Sequence, residues 1–148
     1  MDKQAMTQFW DELWSQSMWW PSFNASFRDL TAQQAAWTPA PGRNSIWQNL
    51  HHICFWREVV VARLDGTKQP PKEEIDRRNF ELPVEVSDSA WRDALARFER
   101  SQKLVRDALD SGKLTEEQFK FIVPHDAYHV GQVMYLRALQ GLPAVKYE

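Results

Sequence analysis

Apolar residues in this chain recur with a helical period over most of its length, and few stretches alternate as a half-buried strand would. Glycine is scarce, at five of 148 residues. The expected fold class is therefore all-α, with four main helices. The first spans Lys3 to Met18, where Phe9, Trp10, Leu13 and Trp14 recur at helical spacing. Pro21 kinks or restarts it, because proline lacks an N–H and clashes with the preceding turn. Phe23, Phe27 and Leu30 continue an apolar stripe, and Thr38 to Gly42 reads as a loop. The second helix opens with a capping box, Ser45 at the N-cap and Gln48 at N3, and runs to Leu64 before Asp65-Gly66. The third follows Ser87 and ends at Ser111-Gly112, with Trp91, Leu95, Phe98, Val105 and Leu109 as its buried stripe. A second capping box, Thr115 with Gln118, opens a short helical segment to Ile122. Pro124 fits position N1 of the fourth main helix, which runs to Gln140 and stops at Gly141.

Four such helices predict a four-helix bundle in a single domain, residues 1–148. The connection Thr67 to Val86 holds three prolines and many charges. It reads as a long loop of the kind that is functional or mobile, and it leaves room for a crossover.

Composition narrows the function classes. A single cysteine excludes an intramolecular disulfide framework and a Cys-rich zinc site. Lys plus Arg is 18 and Asp plus Glu is 20, a net charge of −2. That balance gives no support to nucleic-acid binding, and Arg77-Arg78 is only a two-residue basic patch. No apolar run approaches the roughly 20 residues that span a bilayer. Met1 to Phe9 is polar, without a signal-peptide apolar core. The expected setting is the cytoplasm, without membrane partners.

The four histidines fall in two places, His51-His52 and His125/His129. His125 and His129 are one helical turn apart, on the same face as Gln132, Val133, Leu136 and Leu139. Two imidazoles so placed can converge on one metal ion, although the same spacing also suits two ordinary core histidines. The second helix centres its apolar stripe near Ile53. His52 lies about 100° from that direction and His51 about 160°. His52 is thus at the edge of the buried face, and His51 points more nearly to solvent. Three imidazoles would form a His₃ site with at least one open metal position. Asp126, Glu58 and His51 remain open as a fourth ligand.

The run Ser45-Ile46-Trp47-Gln48-Asn49-Leu50-His51-His52-Ile53-Cys54-Phe55-Trp56-Arg57, continuing through Val61-Ala62-Arg63-Leu64-Asp65-Gly66, resembles the second helix of the DinB-like superfamily of four-helix metalloproteins, which includes the YfiT-type proteins. His125-Asp126-Ala127-Tyr128-His129-Val130-Gly131-Gln132, with Leu136-Arg137 after it, resembles that family's last helix, and the Trp37-Thr38-Pro39 loop also fits. The resemblance implies metal ligands at His52, His125 and His129 and a divalent metal ion, zinc or nickel. It implies an activity of hydrolase or thiol-dependent S-transferase type on a small-molecule substrate, with a low-molecular-weight thiol as one candidate, and a homodimer. Catalytic residues beyond the ligands stay unassigned.

The leading expectation is a metal-dependent enzyme, with Gln132 and Tyr128 near the histidines as candidates to orient a ligand. The alternative is a non-catalytic, dimeric helical-bundle interaction module whose metal is structural or incidental, with Trp19, Trp20 and Phe23 as a partner surface. Access of the histidines to a pocket discriminates the two. Cys54 projects away from His52 and is expected in the core. Trp10, Trp14, Trp47, Trp56 and Trp91 are expected to pack in the core, with Trp56 the candidate for lining a pocket beside His52.

Overall fold

A computed structural model describes residues 1–146. These form helices α1 (Lys3–Ser15), α2 (Phe23–Ser26), α3 (Ala32–Ala36), α4 (Ile46–Leu64), α5 (Lys72–Arg78), α6 (Asp88–Asp110) and α7 (Glu116–Leu139), with no strand among the described residues. The expected domain extends to residue 148, so its last two residues lie outside the described ones.

Local chemistry explains most boundaries. Ser45 and Gln48 close their capping box at the start of α4, and Thr115 and Gln118 do the same for α7. Ser87 caps α6 by accepting from the Ala90 N–H at 3.2 Å. α1 ends at Ser15 rather than Met18, with Gln16 already extended at φ −119° and ψ 137°. Pro21 lies beyond it, and the residue before a proline is itself pushed out of the α region.

Two expected segments prove to be one. Pro124 does not start a helix. It lies inside α7, which runs unbroken through it. Its missing N–H leaves the Lys120 carbonyl without a helical partner, but both residues are exposed and water can satisfy that oxygen. The long connection also contains more structure than expected. α5 forms there, with Glu73 and Glu74 in its first turn and Arg77 and Arg78 in its last, each complementing the helix dipole.

α4 packs against α6 and α7, and α1 against α6 and α7. The order around the bundle is α1, α6, α4, α7. Among the described residues α1 lies diagonally across from α4, and α6 from α7, so the bundle is not the simple up-down-up-down form in which sequence neighbours pair. The short α2 lies on α1 and α7, and α3 on α4 and α6.

Trp10, Leu13, Ile53, Phe98, Val105, Leu109, Val130 and Val133 build the core. Trp10 is fully buried and donates its indole N–H to the Gln102 carbonyl at 3.0 Å. Trp47 and Trp91 are buried against each other with ring centroids 5.0 Å apart, whereas Trp14 and Trp56 are only partly buried. Cys54 is buried, and burial pushes its thiol up to about 11, as suits a packing residue. The suggested partner surface needs one correction. Trp19 is exposed and Trp20 partly so, but Phe23 is fully buried against Trp10, 6.3 Å between ring centroids. No described helix is long and apolar enough to cross a membrane.

Candidate metal centre

The seam between α4 and α7 brings the expected histidines together. His52 projects from α4, and His125 and His129 from successive turns of α7. One ring nitrogen from each lies within 4.8 Å of the others. The Nε2 atoms of His52 and His125 are only 3.0 Å apart. His52 and His129 are buried, while the His125 side chain keeps 31% of its surface exposed.

Each ring points its other nitrogen at oxygen. His52 Nδ1 is 3.3 Å from the Asn79 carbonyl, and His125 Nδ1 is 2.9 Å from Asp126 Oδ1. His129 Nδ1 is 3.0 Å from Asn49 Oδ1 and 2.7 Å from Gln132 Oε1. The Asn49 orientation is fixed independently, since its amide nitrogen donates to the Ser45 carbonyl at 2.8 Å. Acceptors alone at Nδ1 assign the proton there and leave the lone pair on Nε2. Burial, with the neighbouring imidazoles, lowers His52 to about 4. Burial, with His125, does the same for His129. Both rings are therefore neutral at pH 7, the form that ligates metal.

Between two neutral rings of this tautomer a 3.0 Å contact sets lone pair against lone pair, and it needs a proton or a cation between the two Nε2 atoms. Moving a proton to Nε2 of either ring would turn its Nδ1 lone pair onto an oxygen. A shared divalent cation removes the conflict, so the donor set fits a metal ion.

The supporting residues are equally specific. Asp126 does not join the cluster as a ligand. It is fully buried, holds His125 through Oδ1, and accepts from Arg57 Nε through Oδ2 at 2.7 Å. Arg57 is also buried, donates to Ser101 Oγ at 3.1 Å, and lies 4.7 Å from the Trp10 ring and 4.9 Å from Phe98. Glu58 is no ligand either, because it accepts from Arg97 Nε and Nη2 at 2.8 and 2.7 Å. His51 is committed at both nitrogens, with Nε2 2.8 Å from the Arg78 carbonyl and Nδ1 3.0 Å from Arg97 Nη1. Its pKa is lowered, chiefly by burial.

Sequence reasoning missed Asn49, Arg57, Asn79 and Phe80. Asn49 sits three residues before His52 on the same helix, and Arg57 interrupts the apolar stripe four residues after Ile53, a charge where a hydrophobe is due. Phe80 stacks on His52 at 4.0 Å and 9°, and comes from the 67–86 connection, which carries no period. Of the residues that were named, Gln132 is a direct partner of His129, while Tyr128 is exposed and packs edge-on against the His129 ring at 5.2 Å.

Two openings lie beside the centre, and one of them includes a histidine of the cluster. A cleft of about 670 Å³ between the 39–44 loop and α7 includes Asn49, Tyr128 and Gln132. A smaller cavity of about 230 Å³ between α4 and α7 includes Trp56 and His125. His125 is thus the member of the cluster that faces an opening.

An all-helical bundle with three convergent imidazoles in one inter-helix seam thus defines the class of protein. The sequence profile of the DinB superfamily matches residues 18–141, and the chain belongs to that superfamily. The matched region carries all three histidines and begins after α1. No curated protein and no solved structure gives a significant match.

Proposed function

We propose that the chain is a metal-dependent enzyme in which His52, His125 and His129 hold one divalent ion, zinc or nickel, and act on a small molecule in a hydrolase or thiol-transferase reaction. The observation that carries this reading is the convergence of three imidazoles whose outward nitrogens all face acceptors. A bound ion would supply Lewis acidity, making water or a substrate thiol a competent nucleophile near neutral pH.

The chain's own residues do the positioning. Asn79, Asp126, Asn49 and Gln132 hold the protons on Nδ1 and fix the ring planes. Arg57 orients Asp126 by donating to its Oδ2. Phe80 covers one face of His52 and excludes water from it.

Elemental analysis of protein purified without a His-tag tests the proposal. About one metal per chain is expected, and its loss in a His129→Ala variant. Wild-type protein that neither carries nor takes up metal would overturn it.

A further inference from the structure

The 230 Å³ cavity in the α4–α7 seam has a distinct chemistry. Trp56, Val60, Phe121 and Ile122 supply its apolar walls, and His125 forms part of the same lining. The only charged groups on it, Arg57 and Asp126, neutralise each other through the 2.7 Å ion pair. Trp56 is fixed by its indole N–H, which donates to Asn79 Oδ1 at 2.8 Å. Phe121, in the same lining, is 72% exposed. Cavities of about 150 Å³ with apolar walls already hold a benzene-sized guest. The larger cleft beside Gln132 differs, being lined by Arg43, Asn44, Asn49 and two tyrosines.

We infer that this cavity is the specificity pocket of the proposed enzyme, and that it takes an uncharged apolar group, alkyl or aryl, attached to the atom that reaches the three histidines. The inference rests on the metal reading, because the cavity gains a purpose only through the wall it shares with His125. Sorting substrates by apolar size then follows from area removed from water, with no charged recognition at this end of the molecule.

Cobalt(II)-loaded protein, titrated with ethanethiol, 1-butanethiol and 1-hexanethiol and followed through the sulfur-to-cobalt absorption band, tests the inference. Affinity should rise between about two- and fourfold per added methylene until the pocket is filled. A Val60→Trp variant, which fills the cavity at a partly exposed position, should flatten that rise and leave the spectrum of the thiol-free cobalt protein unchanged. A rise that persists in Val60→Trp, a flat series in the wild type, or no thiol response at all overturns the pocket while the cobalt spectrum still upholds the metal centre. Failure of the protein to take up cobalt overturns both.

Discussion

His51 and His52 are adjacent on α4, both have lowered basicity through burial, and both touch the end of α5 or the residue after it. They are nevertheless prepared for different work. His51 has no nitrogen to spare, since one donates to the Arg78 carbonyl and the other accepts from Arg97. Arg97 is itself gripped by both oxygens of Glu58. His52 has a single outward partner, and its Nε2 is turned inward toward His125. Competence to bind metal is thus decided by what holds the second ring nitrogen, and the two clusters differ in that respect more than in burial or in distance along the chain.

The largest way to break the comparison is through Arg57. Replacing it by Met strands the buried Asp126 carboxylate and should cost about 3–5 kcal/mol of stability, measured by denaturant unfolding. A much smaller loss would mean that the ion pair does not organise the seam. Asp126→Asn preserves shape but weakens the hold on His125, and should lower zinc affinity by about 10- to 100-fold in a competition assay with a chromophoric chelator. Glu58→Gln, in the His51 cluster, should leave that affinity unchanged.

Acidity distinguishes the clusters next. Between pH 6.5 and about 4 the unfolded chain binds protons at His52 and His129 that the folded chain refuses. Stability of the metal-free protein is therefore full above pH 6.5 and declines as pH falls through that window. Urea midpoints at pH 7 and pH 5 should show the drop, and His52→Gln should make it shallower. A profile that is flat in the wild type would contradict the assignment. The smallest effect belongs to His51→Gln, expected to cost about 1 kcal/mol or less because it trims hydrogen bonds at a partly exposed position.

The parts of this molecule governed by local rules were legible in its sequence. Ser45, Ser87 and Thr115 announce three helix starts because a cap is made by residues three positions apart. The helical period also set His125 and His129 on one face and separated His52 from His51. Pro124 was misread because its tolerance depends on exposure, which a local motif does not encode. α3 and α5 are short, and their support, a Thr31–Gln34 capping box and paired end charges, is visible only once short helices are sought. Phe80 and Asn79 reach His52 by the path of the connection across the bundle, so no spacing rule could place them. Arg57 did leave a mark, a charge within an apolar stripe, and its meaning needed Asp126 from another helix.

The central claim is that His52 serves the metal centre and His51 does not. Calorimetric titration of the metal-free protein with zinc, alongside His51→Ala and His52→Ala, tests it most directly. The wild type and His51→Ala should each bind about one equivalent with similar affinity, and His52→Ala should lose high-affinity binding. Equal loss in both variants, or binding undiminished in His52→Ala, would contradict the account.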